Sequence, residues 1–323
     1  MTDNKEIRFE PGLKLARHKE LVEYLNDKFV SPINVEISPS GICNANCPKC
    51  FYSQKSWALP GRDKEFFEEN RMKDLIKELS DMGVKSISYT GGGEPTLHPS
   101  FPKFVKWANM AGLEQGLFTN ALKPIKYDPT LFEWIRVTKT NHNLNEKVLE
   151  TIRPCKTVGI CVNYSKEDLK GVIEDTLKIG EKLDNLKTFK NHSTYVQVRP
   201  ALEIKGGLVE LIVPSIKHPL LTITDYKFLG SGSERDYNLC EAYHFTPFVW
   251  QNGDVDVCAY HKGEKEFNLG NLYVKGKQGR FKTIMKDAPS SIEVKDNCQI
   301  CCKLNGMNST INHMRKLKDV NFP

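Results

Sequence analysis

From residue 33 onward the chain repeats one pattern: a short β-rich run, a polar turn, then a segment with helical spacing. The β-rich runs are INVEIS (33–38), KSISYT (85–90), QGLFTN (115–120), WIRVT (134–138), TVGICVN (157–163) and YVQVRP (195–200). Between them, residues 66–83, 100–112, 143–153 and 165–183 place apolar side chains at i, i+3, i+4 and i+7, and Gly83 and Gly112 stand as C-terminal stops. Strands that alternate with helices build a parallel sheet, since each parallel pairing needs a crossover. Six such units fall short of a closed eight-unit barrel. The expected fold is therefore α/β, a partial (β/α)6 TIM-like barrel.

Chemistry in βα folds sits at the carboxyl ends of the strands. Here those ends carry a cysteine loop after the first run, GGGEP after the second and Thr119 and Asn120 after the third. Thr138 to Asn141, Asn163 and Arg199 follow the next three. Polar residues able to bind a ligand thus gather on one rim, although each alone could also serve as a turn residue.

The pattern breaks after residue 200. Residues 206–238 are irregular and end in a Gly/Ser stretch, and FVWQNGDVDVCAYH (248–261) then reads as a hairpin turning at Asn252-Gly253. We expect a barrel domain with an N-terminal helix over 1–225 and a small cysteine-rich domain over 226–323. Apolar residues nowhere run uninterrupted for about 18 positions, and the first residues lack a basic-then-apolar signal, so a cytoplasmic protein with no membrane contact is expected. The formal charge of +6 arises from basic residues interspersed with acidic ones, the pattern of a solvated surface rather than of a nucleic-acid footprint.

Ten cysteines without an export signal argue for metal or catalytic use, because cytosolic thiols stay reduced. Three of them, Cys43, Cys47 and Cys50, form C-x3-C-x2-C in GICNANCPKCFY. A structural zinc takes four ligands, so the triplet needs either a distant histidine or a metal group that keeps a position open. A four-iron cluster held by three thiolates has one such open iron. GGGEP (91–95) adds a second element: its glycines let a polar ligand approach the backbone, Glu94 could hold an ammonium group, and Pro95 biases Glu94 to an extended conformation.

Together, the triplet after strand 1 and the Gly-Gly-Glu motif after strand 2 resemble the radical S-adenosylmethionine superfamily over roughly residues 30–200. The resemblance implies a [4Fe-4S] cluster on Cys43, Cys47 and Cys50 whose open iron chelates S-adenosylmethionine. It implies reductive cleavage to a 5'-deoxyadenosyl radical, with the electron supplied by a flavodoxin or ferredoxin-type reductant. Gly92, Gly93 and Glu94 would engage the methionine amino end, with Asn120 and Asn163 on the same cofactor rim. Thr138 would lie near the ribose or carboxylate, and Arg199 would pair with the cofactor carboxylate or an anionic substrate. The family's aromatic before the third cysteine is replaced by Lys49, so Phe51 or Tyr52 would pack the adenine.

Cys240, Cys258, Cys298 and Cys301 form a second set, two near the hairpin and two in C-x2-C, enough to close a complete cage for zinc or for an iron–sulfur cluster. With NLGNLYV (268–274) between them, the order resembles the Twitch extension, the short relative of SPASM, and implies an auxiliary [4Fe-4S] cluster. Cys302 would then be a spare thiol, a candidate hydrogen-atom donor. Cys161 reads as core, Cys155 lies in a loop, and His98, His261, Asn308 and Asn312 could each be structural or face a site. The expected activity is hydrogen abstraction from a polar small-molecule substrate, in dehydrogenation or epimerisation at a carbon bearing OH or NH2. Alternatives are modification or rearrangement of a nucleotide or nucleic-acid base, peptide maturation, and a non-enzymatic zinc or iron–sulfur interaction protein. The single helix at 13–27 is too little for the leader-binding module that peptide maturation would call for.

Overall fold

The computed structural model describes residues 10–45, 47, 50, 52, 66–139, 144–164, 169–185, 192–200, 216–223, 235–294, 298 and 303–318. All six expected strands are present: β1 Asn34–Ile37, β2 Ser86–Tyr89, β3 Glu114–Thr119, β4 Trp134–Thr138, β5 Thr157–Tyr164 and β6 Ser193–Pro200. They pair in parallel in chain order, and a short β7, Leu221–Ile223, adds to β6. The later strands are β8 Leu239–Cys240, β9 Phe248–Val249, β10 Asp254–Asp256, β11 Asn268–Asn271 and β12 Ile292–Glu293.

The expected hairpin forms between β9 and β10, but it does not build a sheet of its own. β9 pairs in parallel with β1, through Glu36↔Phe248 and Ile37↔Val249, and β10 and β11 follow antiparallel. One ten-stranded sheet results, in the order β11-β10-β9-β1-β2-β3-β4-β5-β6-β7. The sequence placed a domain boundary near residue 226, a position outside the described residues.

Strand alternation sorts the side chains. Val35, Ile37, Ile87, Leu117, Ile135 and Val137 are fully buried in the main core. Helix Glu69–Met82 buries Met72, Leu75, Ile76 and Leu79, and helix Phe101–Met110 buries Phe101, Phe104, Val105 and Ala108, each set on one helical face. Gly83 caps the first helix at φ 80°, a left-handed conformation that favours glycine. On the other face, Glu36, Ser88, Gly116, Phe118, Arg136 and Thr138 line a cavity of about 720 Å³. Central parallel strands are usually apolar on both faces, so a hollow interior that carries polar and charged side chains among apolar ones marks this face as a binding surface.

The end of the cavity nearest the strand N-termini is bordered by helix Pro11–Leu15 and helix Asn305–Lys316. A Cβ on Gly12 would lie 2.3 Å from Thr310 Oγ1 and 2.5 Å from the Gly306 carbonyl oxygen, so the two backbones touch. Around this contact Leu15, Leu21, Tyr24, Leu304 and Ile311 form a second core, shared with Cys240, Cys258 and Cys298. Among the described residues no helix is long and apolar enough to cross a membrane.

Candidate active site

The segment leaving β1 is stitched to the glycine turn. Gly93 N donates to the Ser40 carbonyl (3.1 Å), Glu94 N donates to that of Ile42 (2.7 Å), and Ile42 N donates to Ser40 Oγ (3.0 Å). Gly91 has φ 136°, and a Cβ there would sit 2.0 Å from Ser38 Oγ. At Gly93 a Cβ would meet the Ile42 carbonyl oxygen at 2.3 Å, whereas at Gly92 the nearest atom belongs to Trp250 at 3.5 Å. Two of the three glycines are therefore required by the close approach of the cysteine loop. Gly92 is the one whose Cβ direction is open.

The sequence points to Glu94 as a carboxylate that could hold an ammonium group. In the structure Oε1 accepts from Thr96 N (3.2 Å), Thr96 Oγ1 (2.7 Å) and Thr119 Oγ1 (2.6 Å), and Oε2 accepts from Asn120 N (2.7 Å). Burial pushes the Glu94 carboxyl up, and these hydrogen bonds pull against it. The side chain fastens the turn to the end of β3.

Asn120 links this turn to the cysteines. Its side-chain amide donates to Asn44 Oδ1 (2.9 Å) and approaches Cys43 Sγ at 3.6 Å, and Ala45 N donates to the same sulfur (3.4 Å). Cys50 N donates to the Cys47 carbonyl (3.1 Å). Cys43, Cys47 and Cys50 all line the cavity. Cys43 presents an open surface, but desolvation of its sulfur and the neighbouring Glu94 raise its thiol above the ordinary value. Cys47 is raised by burial and by the charges of Cys50 and Cys43. Thiols raised in this way at Cys43 and Cys47 match a cationic group that would neutralise them.

Among the described residues no three His, Cys, Asp or Glu side chains converge on a single ion. A cubane, which takes one thiolate per iron, fits a set of three thiols. When bound, such a cluster supplies one electron and an open iron to S-adenosylmethionine. Thr138, at the end of β4, lines the same cavity. Asn163 and Arg199 are paired in register at the ends of β5 and β6, and their side chains, like Lys49 and Phe51, lie outside the described residues.

Tyr52 sits against Gly92, 3.9 Å from the position of a Cβ there, and packs edge-on against Trp250, with ring centroids 5.9 Å apart. The Trp250 indole N–H donates to Asp256 Oδ2 (2.7 Å), and Asn268 Nδ2 donates to Oδ1 (2.9 Å). Asp256 is fully buried, and burial, reinforced by Asp254, pushes its carboxyl up to about 7 against those hydrogen bonds and Lys262. A carboxyl raised by folding contributes stability that is complete below its unfolded value of about 4 and is lost as pH climbs. The window closes at about 7. In Asp256→Asn the amide oxygen still accepts from Trp250, and Asn268 can turn its own amide to accept. Between about pH 5 and pH 8, denaturant unfolding should show the wild type losing about 1–3 kcal/mol more stability than this variant.

In the C-terminal region Cys240 accepts from Asn308 Nδ2 (3.4 Å), and Cys298 Sγ lies 3.3 Å from His261 Nε2. His261 Nδ1 faces Glu264 (2.6 Å), and burial of the ring, which opposes its charge, is outweighed by Cys298 and Glu264, so its pKa is raised. Asn308 Oδ1 also accepts from the Glu241 and Ala242 amides, and Asn312 donates to the Asp236 carbonyl. Cys301 and Cys302 lie outside the described residues. Cys155, left open by the sequence, is a core thiol that donates to the Phe132 and Thr157 carbonyls, and burial pushes it up to about 12. His98 spans the Phe67 carbonyl and the Ser100 amide, a satisfied turn residue.

Sequence reasoning did not single out Arg136, Trp250 with Asp256, or the Glu36–Lys303 ion pair. For Arg136 a signal existed: in WIRVT the alternate positions Trp134, Arg136 and Thr138 are large or polar on a strand expected to be apolar throughout.

In its complex with the precursor peptide SuiA, SuiB of Streptococcus suis matches with a TM-score of 0.57 at 15% identity, covering 88% of this chain and 72% of that one. In its S-adenosylmethionine-bound form the TM-score is 0.52, over 83% and 69%. At 15% identity these likenesses show a shared fold. Over 81 residues the chain is 32% identical to the S-adenosylmethionine-dependent nucleotide dehydratase of Flammeovirga pacifica, 24% of this chain and 27% of that protein. Over 91 residues it is 36% identical to the GTP 3',8-cyclase of Chlorobaculum tepidum, 28% and 25%. The matched stretch thus spans about a quarter of each of these curated relatives. No family model matches the chain.

Proposed function

We propose that the chain binds a [4Fe-4S] cluster through Cys43, Cys47 and Cys50, uses it to cleave S-adenosylmethionine reductively, and abstracts a hydrogen atom from a polar small molecule in the barrel cavity. The observation that carries this reading is the joining of three elements at one mouth. The Gly93 and Glu94 amides hold the cysteine loop, Asn120 reaches Cys43, and all open onto the same cavity of about 720 Å³. The chain's own residues pack the loop and orient Cys43. A flavodoxin or ferredoxin-type protein supplies the electron. Dehydrogenation or epimerisation at a carbon bearing OH or NH2 suits a cavity walled by hydroxyl, amide and charged groups. A second reading, a nucleotide substrate, is favoured by the printed functions of the curated relatives, a nucleotide dehydratase and a GTP cyclase.

In this reading Cys240, Cys258, Cys298 and Cys301 hold an auxiliary cluster in a small C-terminal unit, within which Asn308 and His261 approach two of the sulfurs. Anaerobic reconstitution should load about eight irons as two cubanes. The reduced protein should show electron resonance perturbed by S-adenosylmethionine and should release 5'-deoxyadenosine. Zinc in place of iron, or no 5'-deoxyadenosine, would sink the proposal; about four irons would remove the auxiliary cluster alone.

A further inference from the structure

A tryptophan from the C-terminal region stands at the glycine turn. Trp250 directly follows β9, the strand that docks on β1. Its side chain is fully buried, in one apolar cluster with Phe248 and Ala259 against which Tyr52 packs. The ring meets Tyr52 edge-on, with centroids 5.9 Å apart, and Phe248 at 4.3 Å. A Cβ on Gly92 would lie 3.5 Å from Trp250 and 3.9 Å from Tyr52. Tyr52, two positions past Cys50, and Gly92 both line the cavity. One indole thus backs a residue of the cysteine loop and a residue of the glycine turn.

Polar groups fix how this ring is turned. Asp256, fully buried, accepts the indole N–H (2.7 Å), and Asn268 Nδ2 donates to its other oxygen (2.9 Å). Lys262, only 7% exposed, sets its ammonium 4.6 Å from the ring centroid. A backbone carbonyl would satisfy a buried indole N–H without withdrawing a carboxylate from water, and a buried lysine carries a similar desolvation cost. A leucine would fill the space with neither. The hydrogen bond sets the edge of the ring and the ammonium sets its face, so its orientation is specified as well as its volume. The backbone leading to it is registered too: Ser38 N donates to the Val249 carbonyl (2.8 Å), and a Cβ on Gly91 would lie 2.0 Å from Ser38 Oγ.

We propose that Trp250 is a positioning residue for S-adenosylmethionine, holding the Tyr52 ring and the Gly92 main chain in the places from which they meet the bound cofactor. It acts by preorganisation. Without the indole behind it, Tyr52 would have other rotamers open to it, and binding would have to order the ring first. The proposal rests on the enzyme reading given above. It adds that the C-terminal region, and not the barrel units alone, sets the affinity for the cofactor.

The test is titration of the iron-loaded full-length chain with S-adenosylmethionine, by calorimetry without reductant and by electron resonance after reduction. Trp250→Leu should weaken binding about 10-fold and reduce the perturbation of the resonance at a given S-adenosylmethionine concentration. Trp250→Phe keeps a ring against Tyr52 and Gly92 and should recover most of the loss, remaining about 3-fold weaker for want of the bond to Asp256. Lys262→Met, which leaves the indole in place but frees its face, should weaken binding about 3-fold. Tyr52→Leu combined with Trp250→Leu should be weaker by less than the product of the single effects, because one residue acts through the other. Iron content and melting temperature show which variants are folded and loaded, and Trp250→Phe and Lys262→Met carry the test if Trp250→Leu is not. Loaded variants that bind as tightly as the wild type, or a double variant showing the full product, overturn the positioning role alone. A wild type that binds no S-adenosylmethionine would overturn the enzyme reading, and the positioning role with it.

Discussion

Replacing Cys43, Cys47 or Cys50 singly with alanine is expected to abolish 5'-deoxyadenosine formation and to remove roughly half of the iron, leaving the C-terminal cluster loaded. In the proposed cluster each thiolate would fill the outer position of one iron, so losing one would expose a second iron and remove the asymmetry on which chelation of S-adenosylmethionine would depend. Cys43 is the most informative of the three, because its sulfur is held by Ala45 N and Asn120 while the others rest on the turn at Cys47–Cys50. Iron content, visible absorbance and 5'-deoxyadenosine, measured on the same anaerobic preparation, check all three variants. Retention of cleavage by any one of them would contradict the ligand assignment.

Gly93→Ala should be almost as damaging without touching a ligand. Its Cβ would be driven into backbone, 2.3 Å from the Ile42 carbonyl oxygen and 2.6 Å from that of Ser40, where no side chain can move aside. Either the cysteine loop shifts, pulling Cys43 from Asn120, or the hydrogen bonds at Gly93 N and Glu94 N are lost. A destabilisation of about 2 kcal/mol or more, with poor iron loading, is expected. Gly92→Ala is the control: its Cβ would rest at 3.5 Å from Trp250, an ordinary contact, so fold and iron content should survive. Thermal melting and iron content separate the two variants. Equal behaviour would mean that the stitching of loop to turn is not what positions the cysteines.

The parallel strands were legible because local periodicity encodes them: each is a short β-rich run between helices whose buried faces recur at helical spacing. Their order also followed from the chain, since consecutive βα units lie side by side. What local pattern does not encode is pairing across long separations. The hairpin at 248–256 was visible through Asn252-Gly253, yet its docking on β1 depends on residues more than two hundred positions apart. The same limit applies to the partners of Glu94: the donors to its oxygens include Thr119 and Asn120 at the end of another strand, which the motif alone does not show. Arg136 was hidden for a further reason: a charged residue in a strand reads as solvent-facing unless the interior of the sheet is known to be hollow.

The docking of β9 on β1 determines where the cysteine loop is rooted. β1 leads directly into the triplet loop, and with β2 on one side and β9 on the other it is an inner strand, its amides bound to the Pro247 and Val249 carbonyls. Among the described residues the rims of the sheet are instead β7, three residues long, and β11, four residues long. Brief rims offer little template for another chain to add to. The cysteine loop is therefore rooted in the middle of a paired sheet rather than at one of its rims.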